Sequence, residues 1–335
     1  MFKFKEKMLS RYIVILVCLI SISAWSQKPG DTDKFAHTFS ILARDSETGQ
    51  MAVAVQSHWF SVGTVVPWGQ SGVGVVATQS FVNEAYGYEG LKLMAKNQKP
   101  SEVLDKLRSE DKGEAFRQVA MMSNDGEIAA FTGDKCVQDA RHIVGENYSI
   151  QANMMVSENV VYNMRQAFEE HTGLPLAERV VKALEAGQAA GGDIRGKQSA
   201  ALIVVDSEPS KLPWNDKLVD LRVDDHNNPI EELSRLLNVH RAYEFMAQGD
   251  LAMENGDSKS ALQAYHQAEK LLPNEDEIQF WKAVALVNAK QVKNSIPVFE
   301  RLFKKNKKWQ ELLKRLPASE LISIDQPALD YLLKL

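Results

Sequence analysis

The chain has 335 residues, of which 44% are hydrophobic and 25% are charged, and its formal net charge at pH 7 is −5. These values are ordinary for a globular protein and exclude collagen-like and intrinsically disordered chains. The slightly acidic balance also argues against a general nucleic-acid binder, which usually carries a basic surface. The length is sufficient for two domains.

The first segment has the pattern of a secretory signal peptide. A basic stretch, MFKFKEKMLSR, precedes the apolar run YIVILVCLISISAW, and Ala24 and Ser26 are small residues at the spacing of a cleavage site. The apolar run is short for a membrane span, so we expect cleavage after Ser26 in preference to a stable membrane anchor. This predicts a periplasmic or secreted protein that loses residues 1–26 and retains residues 27–37 as a linker or propeptide.

Cysteine usage fits export without disulfide bonds. Of the two cysteines, Cys18 lies in the segment that we expect to be removed, so Cys136 has no intramolecular partner. A packed core must then supply the stability. The sequence contains no metal-ligand spacing, no phosphate-binding loop and no hydrolase nucleophile elbow, and we expect neither a metal nor another cofactor.

From residue 38 to about residue 225, strands alternate with pairs of helices. Two helices, NEAYGYEGLKLMAKN and PSEVLDKLRSE, follow the third strand, and two more follow the sixth, with expected ends at Gly173 and Gly187. Helices gathered in pairs predict an α+β domain with antiparallel sheets in layers. The predicted strands are TFSILARD, MAVAVQS, SGVGVVATQS, RQVAMMS, EIAAFTG, YSIQANMMV, QSAALIVVD and LVDLRVD.

From about Pro229 the chain is almost purely helical and contains a 34-residue periodicity typical of tetratricopeptide repeats. Three units are normally needed for an independent solenoid, so we expect this pair to lean on the first domain or on a protein partner. An ordinary helical bundle is the alternative. One unit has Phe245, Gly249, Ala261, Tyr265, Ala268 and Pro273 at repeat positions, and a degenerate second unit has Ala283, Ser295, Phe299 and Leu302.

Polar side chains lie at the ends of five predicted strands, where apolar side chains would pack better. Buried polar groups need hydrogen-bond partners, and each unpaired group costs about 1–3 kcal/mol. If these ends meet, they form either a shared cleft or a network that only stabilises the fold. For Asp193, Arg195 and Lys197, mutual salt bridges on the surface are an equal alternative. The polar residues are Thr38, Ser40, Gln56, Ser57, His58, Thr78, Gln79, Ser80, Asn83, Glu84, Asn153, Asp193, Arg195, Lys197, Gln198 and Ser199.

Four sequence blocks resemble the uncharacterised DUF1028 family. In chain order they are TFSILARDSETGQMAVAVQSHWFSVGTVVPW, GVGVVATQSFVNEAYGYEGL, RQVAMMSNDGEIAAFTGDKC and AAGGDIRGKQSAALIVV. This family is placed with the N-terminal-nucleophile (Ntn) hydrolases, so the resemblance implies a four-layer αββα sandwich, which we assign to residues 38–228. The all-α helical-repeat domain then occupies residues 229–335.

The resemblance also implies a chemistry. In the Ntn class a chain-terminal Thr, Ser or Cys attacks an amide carbonyl, and its own α-amine, with a pKa near 8, is the general base. The matching nucleophile here is Thr38. The eleven residues 27–37 block its amine, so this chemistry requires a second cut between His37 and Thr38. By position, Ser57 and His58 would flank Thr38, Gln79 and Asn83 would be oxyanion or substrate donors, and Asn153, Asp193, Arg195 and Gln198 are further binding candidates.

We therefore expect an exported hydrolase that acts on an amide bond of a small molecule or peptide. The alternative is a non-catalytic protein whose sandwich holds a ligand while the helical module recruits a protein partner. A structural assembly factor that acts only through the helices is a third class, and it depends on the repeat alone.

Overall fold

A computed structural model of the chain describes residues 34–335. The predicted signal peptide and most of the predicted linker or propeptide therefore lie outside the described residues. No helix in this range combines the length and hydrophobicity that a membrane span needs. The strands are β1 (Lys34–Ala36), β2 (Thr38–Arg44), β3 (Met51–Ser57), β4 (Pro67–Gln70), β5 (Gly74–Val82), β6 (Arg117–Ser123), β7 (Ile128–Thr132), β8 (Arg141–Gly145), β9 (Tyr148–Ala152), β10 (Ser199–Val205) and β11 (Lys217–Val223).

Among the described residues, four α-helices lie between strands of the sheets and six follow the last strand, β11. The first four are α1 (Ala85–Met94), α2 (Pro100–Glu110), α3 (Asn159–Glu170) and α4 (Leu176–Ala189). The C-terminal helices are α5 (Pro229–Glu254), α6 (Ser258–Leu271), α7 (Asp276–Asn288), α8 (Val292–Lys305), α9 (Lys308–Arg315) and α10 (Gln326–Leu332).

The strands form two antiparallel sheets. The first has the order β1-β5-β6-β7, with β4 also paired to β5, and the second has the order β11-β10-β3-β2-β9-β8. In β3, Met51, Val53 and Val55 pack between the sheets, whereas Ala52 and Ala54 pack under helices. Both faces of this strand are covered, which fits the continuous apolar run of residues 51–55.

Helices cover the outer face of each sheet. Helices α1 and α2 pack on the first sheet through a cluster that includes Tyr86, Leu104 and Met121. Helices α3 and α4 pack on the second sheet through a cluster that includes Phe39 and Met164. The layers thus run helices, sheet, sheet, helices. The predicted mixed α/β arrangement with antiparallel sheets and a C-terminal helical region is confirmed.

The structure differs from the predicted local structure at several short strands and at one helix end. The sequence pattern does not predict β1, β4 or β8, because they are short edge strands with little apolar alternation. The helix expected to stop at Gly187 continues to Ala189. A Cβ atom at Gly187 would lie 2.8 Å from Met164 Cγ and 3.3 Å from Phe39 Cε2, so this glycine allows α4 to approach α3 and β2 closely and does not end the helix.

The 26-residue helix α5 joins the sandwich to the C-terminal helices. Leu233 and Leu237 in its first half belong to the apolar cluster under the second sheet. Ala242 and Met246 in its second half pack with Tyr265 in the cluster of the following helices. The helical region therefore shares a continuous element with the sandwich and packs against it.

Candidate functional site

The apolar core between the sheets gives way to buried polar side chains at one end of the sandwich. At this end β2, β6 and β10 begin, and β3, β5 and β9 finish. Because the strands are antiparallel, residues far apart in sequence meet here. The side chains here include Thr38, Ser40, Ser57, Gln79, Ser80, Gln118, Ser149, Gln151, Asn153 and Asp193, and all are buried. We call this region of the domain the polar end.

A network of glutamine side chains joins the two sheets at the polar end. Gln79 Nε2 donates to Gln118 Oε1 at 2.8 Å and to the Thr38 carbonyl at 3.2 Å. Gln79 Oε1 accepts from Ser40 Oγ at 2.6 Å, and Ser40 Oγ accepts from Gln151 Nε2 at 2.7 Å. Each amide is therefore held in one orientation, because its oxygen and nitrogen both have partners.

Thr38 is the first residue of β2 and is fully buried. Its Oγ1 donates to the carbonyl of Ala36 at 2.6 Å. Its own carbonyl accepts from the backbone N–H of Asn153 at 3.1 Å. The chain upstream of Thr38 is β1, which pairs with the end of β5. Hydrogen bonds and strand pairing thus hold the backbone on both sides of Thr38. While the preceding residues remain attached, the Thr38 nitrogen belongs to a peptide bond.

The carbonyl of His37, immediately before Thr38, lies between two side-chain donors. Ser57 Oγ donates to this oxygen at 2.6 Å, and Arg195 Nη2 donates to it at 2.8 Å. Arg195 is oriented by Asp193, whose Oδ2 lies 2.7 Å from Nη2 and whose side chain is fully buried. A salt bridge between Asp193 and Arg195 was one of the two alternatives left open by the sequence. It forms with Asp193 buried and not on the surface, and it also places a cationic donor on a peptide carbonyl. Such a pair of donors stabilises negative charge on that oxygen.

The His37 side chain is also buried at the polar end. Its Nδ1 lies 2.7 Å from Asn153 Oδ1, and its ring meets the Phe81 ring edge-on with centroids 6.0 Å apart. Asn153 Nδ2 donates to Gln118 Oε1 at 2.9 Å, so Asn153 Oδ1 faces His37 as an acceptor. Burial lowers the pKa of His37, although the hydrogen bond to Asn153 works in the opposite direction. The imidazole is therefore neutral near pH 7 and donates from Nδ1.

His58 and Gln198 lie at the rim of the polar end. The backbone N–H of His58 donates to Asp193 Oδ2 at 3.2 Å, and His58 Nδ1 is buried without a hydrogen-bond partner among residues 34–335. The backbone N–H of Gln198 donates to the Ser57 carbonyl at 3.1 Å, while Gln198 Nε2 reaches Asp225 Oδ1 at 3.3 Å. Gln198 therefore contributes its backbone to this end, and its side chain bonds to a surface carboxylate.

Asn83 belongs to a separate ion-pair cluster. Its Nδ2 donates to Asp111 Oδ2 at 3.2 Å, and Asp111 also accepts from Arg117 Nε at 2.8 Å and from the Gly113 N–H at 2.8 Å. Burial alone would raise the pKa of Asp111, but the hydrogen bonds and the Arg117 charge outweigh it and lower the pKa to about 2. The structure places Asn83 with Asp111, not with Thr38.

This lowered pKa predicts a pH-dependent contribution to stability. Its folded-state value of about 2 lies below the ordinary 3.8, so the stabilisation is present above about pH 4 and is lost as the pH falls toward 2. We expect Asp111→Asn to lower the free energy of unfolding at pH 7 by roughly 1–2 kcal/mol, after allowance for solvent screening. Urea unfolding at pH 7, 5 and 3 measures this. The matched control is Asp134→Asn at an exposed loop carboxylate, and an Asp111→Asn deficit that stays equal at all three pH values would contradict the assignment.

Four residues at the polar end were not candidates from the sequence: His37, Gln118, Ser149 and Gln151. Gln118 donates to Thr132 Oγ1 at 2.9 Å and to the Ala152 carbonyl at 3.0 Å, and it connects Gln79 to Asn153. A signal was present, because Gln118 and Gln151 are long polar side chains within predicted strands that consist mainly of apolar residues. Only the pairing of the two sheets shows that these interruptions meet.

The part of the chain that the structure describes contains no comparable arrangement of side chains for cysteine or metal chemistry. Cys136 Sγ donates to the Arg117 carbonyl at 3.3 Å, and burial raises the pKa of this thiol. Within residues 34–335, no group of three His, Cys, Asp or Glu side chains is arranged to hold a metal ion.

Fold and site together define a class of protein: a mixed α/β domain of two facing antiparallel sheets with a buried polar end, extended by C-terminal helices. The model of a family of unknown function, DUF1028, matches residues 38–233, which is more than half of the chain. The chain belongs to this family. A crystal structure of protein SPO2555 from Silicibacter pomeroyi, also assigned to DUF1028, is similar at 32% identity with a TM-score of 0.54, over 60% of this chain and 88% of that chain. No curated protein matches.

Proposed function

We propose that this protein is an exported amide hydrolase of the Ntn type, in which the layered domain is an αββα sandwich and Thr38 is the nucleophile. The observation that carries the proposal is the environment of the His37–Thr38 peptide bond. Its carbonyl oxygen accepts from Ser57 Oγ and Arg195 Nη2, and Thr38 begins the central strand β2. The family match also begins at residue 38, which supports Thr38 as the functional start of the domain.

The first step in this proposal removes the segment ahead of Thr38. Thr38 Oγ1 attacks the carbonyl carbon of His37, so a C–O bond forms and the C–N bond breaks. The hydroxyl proton ends on the Thr38 nitrogen. The negative charge that develops on the His37 oxygen is stabilised by Ser57 and Arg195. Water then hydrolyses the ester, which leaves a carboxylate on His37 and a free amine and hydroxyl on Thr38.

The processed site then acts on an external amide. The Thr38 α-amine accepts the proton of Oγ1 as this oxygen attacks the substrate carbonyl, and the leaving nitrogen takes up the proton when the C–N bond breaks. Water hydrolyses the resulting ester and restores the hydroxyl. Ser57 and Arg195 are the oxyanion donors. Gln79 and Asn153 bond the Thr38 carbonyl and act as positioning residues.

The mass of the intact protein, recovered from the periplasm or medium of its host, tests this proposal without knowledge of the substrate. We expect a major species that begins at Thr38. A preparation in which every molecule begins at Gln27, or at its cyclised form, would argue strongly against the threonine mechanism, because the α-amine would then be absent.

A second candidate function is a non-catalytic binding protein that recruits a protein partner through a short tetratricopeptide-like module. The observation that favours it is a groove of about 550 Å³ in the helical region. Tyr243 and Trp281 line this groove together with the carboxylates of Asp250, Glu254 and Glu277. The same mass measurement separates the two candidates, since a chain that retains residues 27–37 favours binding without catalysis.

A further inference from the structure

We propose that, once the segment ahead of Thr38 is removed, the space that Lys34–His37 occupies accepts an extended peptide on the acyl side of the scissile amide, and that this peptide pairs as a strand with Ser80–Val82. We call this space the acyl site. The inference rests on the proposed function, because it treats the segment Lys34–His37 as the first acyl group that the acyl site holds. It narrows the substrate class from amides in general to peptides with a particular side chain before the cleaved bond.

The backbone pairing of β1 is the first observation. Lys34, Phe35 and Ala36 pair antiparallel with Val82, Phe81 and Ser80. Strand β6 occupies the opposite edge of β5 up to Ser80, and β4 covers the β1 side only along Gly74–Ala77. When the segment leaves, the edge of β5 at Ser80–Val82 loses its partner. An open strand edge of this kind binds extended peptides through main-chain hydrogen bonds.

The pocket around the His37 side chain is the second observation. His37 is 2% exposed and meets the Phe81 ring and Asn153 Oδ1. The orientation of Asn153 is determined by its neighbour: Gln118 Nε2 donates to the Ala152 carbonyl, so Gln118 Oε1 must accept from Asn153 Nδ2, and Asn153 Oδ1 is left as an acceptor. The pocket therefore selects a flat side chain that carries an N–H donor, such as an imidazole or a carboxamide, and disfavours a carboxylate.

The carbonyl site is the third observation. Ser57 Oγ and Arg195 Nη2 both donate to the His37 oxygen. After cleavage this oxygen belongs to a carboxylate, and its bond to the Arg195 guanidinium gains a full opposite charge. A peptide that ends in a free carboxylate at this position should therefore remain bound as a product.

The test uses a chain in which a single methionine precedes Thr38, so that methionine removal exposes the threonine. The family match begins at residue 38, and folding of this shortened chain is verified first by a cooperative thermal transition. The probe is acetyl-Lys-Phe-Ala-His with a free carboxylate, and binding is measured by calorimetry. We expect binding that weakens about tenfold or more when the carboxylate is amidated or when His is replaced by Asp, and that persists when His is replaced by Gln.

N-methylation of the backbone amides of the probe peptide distinguishes strand pairing from other modes of binding. In an antiparallel pair, hydrogen-bonded and non-hydrogen-bonded residues alternate. Methylation of the Phe35-equivalent amide and methylation of the Ala36-equivalent amide should therefore have opposite results, one leaving binding intact and the other reducing it about tenfold or more. A folded chain that does not bind the peptide, or binds both methylated forms equally, would overturn the inference.

This experiment distinguishes a failure of the proposed hydrolase function from a failure of the proposed peptide binding. A chain that binds the probe with the alternating methylation pattern, yet does not hydrolyse the p-nitroanilide of the same peptide, contradicts only the proposed function. A chain that hydrolyses simple amides but does not bind the probe contradicts only the inference that the acyl site binds peptides.

Discussion

Thr38→Val should stop removal of the segment that precedes residue 38 and should lower any amide hydrolysis by roughly 10³-fold or more. Valine keeps the β-branched shape that suits the start of β2 but lacks the hydroxyl that attacks the carbonyl. The fully buried position of Thr38 makes this shape important. Intact mass over a time course of expression measures the first effect, and hydrolysis of acetyl-Lys-Phe-Ala-His p-nitroanilide measures the second.

Thr38→Ser is the matched control, because it keeps both the hydroxyl and, after processing, the α-amine. We expect this variant to be processed and to retain measurable hydrolysis. Comparable thermal unfolding of both variants would show that the loss in Thr38→Val is chemical and not structural. Processing of Thr38→Val at the rate of the unaltered chain would mean that another group, or another protease, cuts this bond.

Gln118→Ala should lower the free energy of unfolding by about 2–4 kcal/mol. Gln118 is fully buried, and its side chain bonds five partners: Gln79, Asn153, Thr132 and the carbonyls of Arg141 and Ala152. Removing it leaves several of these groups short of a partner and creates a cavity. Urea unfolding monitored by circular dichroism measures the change.

The matched control for this prediction is Gln138→Ala, the same substitution at an exposed residue in the loop between β7 and β8. We expect it to change stability by less than about 0.5 kcal/mol. A similar small effect for Gln118→Ala would show that water or neighbouring groups replace its hydrogen bonds, and that the glutamine network does not hold the two sheets together.

The polar end has two roles: it joins the two sheets, and it holds the backbone on either side of Thr38. A core built only from apolar residues would be the simpler way to join two sheets, because every buried polar group must be satisfied. Here the amide network holds the carbonyl of Thr38, while the Asp193–Arg195 pair holds the carbonyl of His37. Two separate sets of side chains thus hold the peptide groups on either side of Thr38, and one of them, the amide network, also joins the two sheets.

Local patterns determined much of the fold. The runs MAVAVQS and RQVAMMS predict strands whose bounds coincide with β3 and β6, and PSEVLDKLRSE coincides with α2. Periodicity and composition suffice to predict these elements, because each is buried on one or both faces and its apolar residues follow the buried faces. The four blocks of similarity also identified the DUF1028 family, which the family match confirms.

The composition of the site was decided by tertiary structure. Asn83 and Gln79 are four residues apart, yet Gln79 bonds the Thr38 carbonyl and Asn83 bonds Asp111. Arg195 reaches the carbonyl of His37 across 158 positions of sequence. Hydrophobic periodicity determines which face of a strand is buried, but it carries no information about which distant strand lies opposite. Which strands lie opposite each other depends on the register and packing of whole sheets. The partners of a buried polar group can therefore be identified only from the tertiary structure.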